Sequence, residues 1–229
     1  MLALKTIEAK MTKAKLSQAM TKEYPQIAKI KSLEDFSNFS PAANEEIVTV
    51  TGLDKTSALV DESALTEAIF TQIEKSEKEI FIMNPYVILT DRMRAHLVAA
   101  ANRGVAISIV TTSPTSTDSL LTQARLIAEW KDLLREIKTL RLYGALGPEQ
   151  LHAKSFVFDQ KVVLIGSYNL DQLSENNNSE FGLMVESPEF AEEVQNFMEE
   201  YAANQALEYD LEKNIGPESV PGGTKKYKK

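Results

Sequence analysis

The sequence predicts an α/β fold, a mixed β-sheet sandwiched by helices, and three observations predict it. Short apolar or β-branched runs alternate with longer segments of helical spacing from about residue 46 to about residue 206. One of these runs, Val105–Thr111, is apolar almost throughout, as expected of a strand covered on both faces. The 229 residues, 43% hydrophobic and 25% charged, are enough for one large domain with extensions.

The elements follow in chain order. Ile47–Thr51 is short and β-branched, which predicts a strand. Leu65, Ala68, Ile69 and Ile73 recur at helical spacing within Ser63–Ser76, and Ser63 suits an N-cap. Glu79–Met83 reads as a buried strand ended by Asn84-Pro85. Asp91–Arg103 reads as a helix closed by Gly104. The Val105–Thr111 strand is followed by a helix over Ser119–Ile137 and a strand over Thr139–Tyr143. Leu151–Asp159 and Val162–Ile165 read as two strands around Gln160-Lys161. Phe181–Glu186 closes the set of strands, and Pro188 to about Ala206 is a final helix.

The ends differ in composition. Residues 1–45 read as a basic helical extension or linker, because Lys5, Lys10, Lys13, Lys15 and Lys22 outnumber Glu8 and Glu23. Leu4, Ile7 and Met11 give this stretch one apolar face. That face suits a solvated helix docked on one side or, as a sharper alternative, a helix lying on an anionic membrane. Ser37–Asn44 is polar, contains Pro41 and reads as the connection. Residues 46–206 form the expected domain. Residues 207–229, with Pro217, Pro221, Gly222, Gly223 and four lysines in the last five positions, are expected to be a disordered tail.

Charge and composition exclude several classes. The net charge of −8 argues against a protein built to hold long nucleic acid. The absence of cysteine excludes disulfides and thiolate metal sites, and two histidines, His96 and His152, do not suit a multi-histidine centre. No metal and no cofactor is therefore expected. No apolar run approaches the ~20 residues needed to span a bilayer, and the first residues lack a continuous apolar core. A cytoplasmic protein, or one peripheral at the inner membrane face, is expected.

The stretch from Leu151 to Val185 carries the chemistry. His152 and Lys154 are two apart on a predicted strand and so share a face. An imidazole beside an ammonium is a poor core and a good phosphate site, with lysine supplying charge and histidine a nucleophile or proton carrier. Ser167 and Asn169, again two apart after an apolar strand, offer hydrogen bonds to phosphoryl oxygens.

A lone His-x-Lys pair would be an ordinary strand edge, but the full spacing is more specific. His152-x-Lys154, four residues, Asp159, six residues, then Gly166-Ser167-x-Asn169 resembles the HKD motif of the phospholipase D superfamily without a mismatch. The likeness continues as Asn169-Leu170-Asp171, Ser174 and Asn178-Ser179-Glu180, as in cardiolipin synthase-like members. Leu173 stands where those members commonly have arginine, a departure that bears on headgroup recognition. Asn84-Pro85-Tyr86 and Ser113–Asp118 extend the resemblance upstream.

The resemblance implies metal-independent transfer through a phosphohistidine, with two HKD motifs building one active site. On that basis His152 is the expected nucleophile or acid/base, and Lys154 and Asn169 the expected phosphate ligands. Ser167 supports the phosphate or its loop, Asp159 has a structural, orienting role, and Glu180 hydrogen-bonds His152 and fixes its tautomer. The chain holds one motif, since His96 sits on a predicted helix without the downstream elements. It reads as half of a site, completed by homodimerisation or by a partner half. The implied substrate is a phospholipid or other phosphodiester. A homodimeric endonuclease and a non-catalytic half domain with an interaction role are the alternatives.

Overall fold

The computed structural model describes residues 48–56 and 63–221. The expected extension over 1–45, including the Ser37–Asn44 connection, lies outside the described residues. Strands β1 (Thr49–Lys55), β2 (Glu79–Met83), β3 (Ala106–Thr111), β4 (Leu140–Ala145), β5 (Ser155–Phe158), β6 (Val162–Gly166), β7 (Glu180–Glu186) and β8 (Ala206–Glu208) form one sheet. The helices are α1 (Ala64–Lys75), α2 (Asp91–Asn102), α3 (Leu120–Glu136) and α4 (Pro188–Gln205), with a short π-helix at Leu173–Asn177. Strand order is β1-β7-β6-β5-β2-β3-β4-β8. β2, β3 and β4 run parallel, joined by helical crossovers, while β5, β6 and β7 form an antiparallel meander beside β2.

Period-two alternation divides the sheet between two cores. On one face Ile80, Ile82, Ile107, Ile109, Phe156 and Leu164 pack with Leu65, Ile69, Met93, Leu97, Leu126 and Trp130 of α1, α2 and α3. On the other, Phe81, Met83, Tyr143, Val157 and Val163 pack with Ala191, Met198 and Ala202 of α4. This is the sandwiched mixed sheet that the sequence predicts. The caps are also local: Ser63, Thr90, Ser119 and Ser187 each accept a backbone N–H in the first turn of their helix. Gly104, at φ 90°, provides the left-handed residue that ends α2.

Two expectations are corrected. The strand foreseen over Leu151–Asp159 is shorter, Ser155–Phe158, so His152 and Lys154 lie in the extended approach to β5 rather than within its ladder. The tail expected to be disordered from 207 is folded as far as Pro221. β8 pairs with β4 at Tyr143↔Glu208, and Tyr209 and Val220 are buried beside Trp130. Composition misled here because a few apolar anchors among polar residues are enough to hold a chain against an open sheet edge. Gly216 admits the close approach of Trp130, whose ring a Cβ at that position would overlap. Residues 222–229 lie outside the described residues.

Candidate active site

β5 lies antiparallel between β2 and β6, which places the approach segment 151–154 at the end of the sheet where β6 also terminates. The Gly166 N–H donates to the Lys154 carbonyl at 3.1 Å, so the two halves of the motif meet through the backbone. Lys154 is buried and its ammonium lies 3.2 Å from His152 Nε2, donating also to the His152 carbonyl at 3.1 Å. His152 itself is exposed. Burial lowers the Lys154 pKa, while the carboxylates of Glu180, Asp118 and Asp171 pull the other way.

After β6 the chain alternates once more. Tyr168 turns into the core and is 1% exposed, leaving Ser167 and Asn169 on the outer side. The Ser167 hydroxyl donates to the Glu180 carboxylate and accepts the Phe181 N–H at 3.0 Å. The other Glu180 oxygen accepts the Ser174 hydroxyl at 2.6 Å and the Asn178 amide at 3.3 Å. Ser174 Oγ accepts the Asn169 backbone N–H at 3.0 Å, so the buried Glu180 holds both outer residues, Ser167 directly and Asn169 through Ser174. The π-helix at Leu173–Asn177 is what brings Ser174 back to this position. Lys55 closes the rim by donating to the Asn178 carbonyl at 2.7 Å.

Two residues for which the sequence suggested no role join the site. The Tyr86 ring stands edge-on to the His152 imidazole with centroids 6.4 Å apart. Its hydroxyl donates to Asp118 at 2.6 Å. Burial and the Asp118 carboxylate push the Tyr86 pKa up to about 12, keeping the hydroxyl a neutral donor. The Tyr86 hydrogen bond, and after it one from Gln150, hold the Asp118 carboxylate below its usual range against the opposing effect of burial, with His152 adding the smallest contribution. The signal available in sequence was their position after β2 and β3, since ligands gather at the carboxyl ends of parallel strands.

Glu180 does not serve His152: its hydrogen bonds go to Ser167, Ser174 and Asn178, and Asp118 is the carboxylate near the imidazole. Asp159 is not brought to the site either. It lies at the far end of β5 with φ 53°, and its carboxylate accepts the N–H groups of Glu77, Lys78 and Glu79 at 2.8–3.0 Å. Burial would raise its pKa, but these three donors outweigh burial and lower it. A depressed carboxyl stabilises the fold above its ordinary value of 3.8, and this is lost as acid takes the pH through the lower folded value. Asp159→Ala should cost about 1–2 kcal/mol at neutral pH. In thermal melts its deficit against wild type should shrink as the pH falls below 4; a deficit independent of pH would count against the carboxylate's role. His96 is remote from this chemistry, stacked on Phe70 at 4.4 Å with Nδ1 3.3 Å from Glu74.

Among the described residues no group of three or more histidine, aspartate or glutamate side chains is arranged to hold a metal ion, and no helix is long and apolar enough to cross a membrane.

A mixed sheet with a histidine, a lysine and an asparagine at the mouth of its central antiparallel strands defines a phospholipase D-like domain. Residues 69–202 match the family described as cardiolipin synthase, PLD-like domain, and the chain belongs to that family. Cardiolipin synthase A of Buchnera aphidicola subsp. Schizaphis graminum is 30% identical over 153 residues, covering 66% of this chain and 30% of that protein. The homologue from Buchnera aphidicola subsp. Acyrthosiphon pisum is 28% identical over 184 residues, covering 80% of this chain and 35% of that protein. The chain thus spans about a third of the length of the curated relatives it matches. Among solved structures, the phospholipase D family member Nuc from Salmonella typhimurium aligns at TM-score 0.54 and 22% identity, covering 71% of this chain and 99% of Nuc. Phosphatidylserine synthase of Haemophilus influenzae aligns at 0.57 and 17%, covering 82% of this chain and 47% of that one. Both structures bear on the fold.

Proposed function

We propose that the chain is half of a phospholipase D-type phosphodiesterase or phosphatidyltransferase, working on a phospholipid through a phosphohistidine. The observation that carries this is the contact between Lys154 Nζ and His152 Nε2, in a chain of the cardiolipin synthase-like family. A phosphate oxygen entering between them takes the Lys154 ammonium and releases the imidazole lone pair. An imidazole nitrogen of His152 attacks phosphorus, the P–N bond forms and the P–O bond to the leaving alcohol breaks. A second histidine gives that alcohol its proton, then takes one from the incoming water or alcohol as the P–N bond breaks. Asn169 and Lys154 hold the equatorial oxygens, and Ser167 with Glu180 braces the loop that presents them.

The second histidine comes from another HKD motif, in a second copy or a partner half. An exposed apolar strip beside Ser167 suits either: Ile165, Phe181 and Leu183 share one sheet face and are 38%, 55% and 41% exposed. The test is to incubate the full chain with phosphatidylglycerol vesicles and ethanol, in parallel with plasmid DNA, while measuring its mass in solution. Phosphatidic acid or phosphatidylethanol is the expected product. DNA cleavage with no lipid product would favour the nuclease, and a monomer turning over neither would favour the non-catalytic domain.

A further inference from the structure

Asn84 is fully buried, at 0% exposure, where β2 ends. Its amide nitrogen donates to the Tyr168 carbonyl at 3.0 Å. Its amide oxygen accepts two backbone N–H groups, from Leu170 at 3.2 Å and from Tyr86 at 3.3 Å. The first two bonds straddle Asn169, while the third holds the residue whose ring faces His152. One side chain therefore ties the loop carrying a phosphate ligand to the loop carrying the neighbour of the nucleophile. Around it the two loops are zipped by the Ile88 N–H to the Leu170 carbonyl at 2.8 Å. The Asn84 backbone N–H is fixed to the Val110 carbonyl at 2.9 Å, so the clamp is anchored in the sheet.

Resting on the phosphate-site reading above, we propose that Asn84 is a positioning residue, whose amide sets Asn169 against His152 and Lys154 without touching the substrate. Aspartate cannot substitute, because it keeps an acceptor for Leu170 and Tyr86 but turns a second oxygen toward the Tyr168 carbonyl. Alanine leaves the buried Tyr168 carbonyl and Leu170 N–H, and the part-buried Tyr86 N–H, without the partner they have here.

The test uses the fact that the chain has two histidines. Inorganic phosphate is titrated into the full chain and the two imidazole proton resonances are followed by NMR, with His152→Ala assigning them. In wild type the His152 resonance should move with phosphate while that of His96 stays still. In Asn84→Ala the apparent phosphate Kd should rise about tenfold or more, since small misplacements in a built site are costly. Asn84→Asp, nearly the same shape, should lose affinity in the same direction and serves if the alanine variant does not fold. Asp159→Ala provides the control for stability alone: it loosens the far end of β5 and should leave the phosphate Kd within about twofold, below the loss expected when one oriented bond is removed. A wild-type His152 that ignores phosphate overturns the phosphate-site reading itself. A His152 that responds in wild type, with a folded Asn84 variant binding phosphate as wild type does, overturns only the positioning role. Equal loss in Asp159→Ala also overturns it, because stability then explains both.

Discussion

His152→Ala is expected to lower phosphodiester turnover by at least about a thousandfold, since removal of the proposed nucleophile leaves only binding and electrostatic assistance. The melting temperature should barely change, because the side chain is exposed and packs only loosely against Tyr86. His96→Ala should do the reverse. That ring lies on Phe70 and against Glu74, so its loss removes packing worth about 1 kcal/mol while activity stays near wild type. The two variants compared by initial rate and by thermal melt separate chemistry from structure. Equal losses of activity would remove His152 from its assigned role. A Lys154→Ala change should resemble His152→Ala in rate, with some loss of stability as well because this lysine is buried.

Gly166→Ala should be the most damaging small substitution in the domain. Gly166 pairs with Gly182 across β6 and β7. A Cβ there would overlap the Phe181 carbonyl oxygen and lie 2.7 Å from Gly182 Cα. These are backbone atoms of β7 and cannot swing aside as a flexible side chain would, so the ladder must open. The expected cost is about 2–3 kcal/mol or more, read as a lower urea midpoint. Because Ser167 follows directly and bonds Phe181 and Glu180, activity should fall further than stability alone would require. Gly104→Ala offers a contrast: it has open space around it and suffers only from its φ of 90°, costing about 1 kcal/mol. A Gly166→Ala protein melting with wild type would mean that β6 and β7 are further apart at this point.

Much of this was readable in the chain, for physical reasons that can be named. The alternation of β and helical periods foretold the sandwiched sheet because each element buries one face locally. His152, Lys154, Ser167 and Asn169 could be singled out as candidates because the two-residue period of extended chain puts each pair on one side. Glu180 was expected to hydrogen-bond His152, whereas its bonds go to Ser167, Ser174 and Asn178. Its bonds depend on where the π-helix returns Ser174 and Asn178, and no local period encodes that return. Tyr86, Asp118 and Asn84 come from loops more than thirty residues upstream of the motif, and only the parallel crossovers bring them to it. The tail was misread because polar composition hides isolated anchors such as Tyr209 and Val220.

The hairpin of β5 and β6 explains the gaps of the motif as measured lengths. The four residues between Lys154 and Asp159 are the whole of β5, which at ~3.3 Å per residue spans about 13 Å. The six between Asp159 and Gly166 are the rest of the turn and the returning arm, since Ser155 pairs with Ile165 and Phe158 with Val162. Asp159 is tethered at one end, and His152 and Lys154 stand at the other. A one-residue insertion in either arm would turn that arm's outer residues inward and shift the tether against the site. The unspecified positions can therefore exchange among apolar side chains, but their number cannot drift.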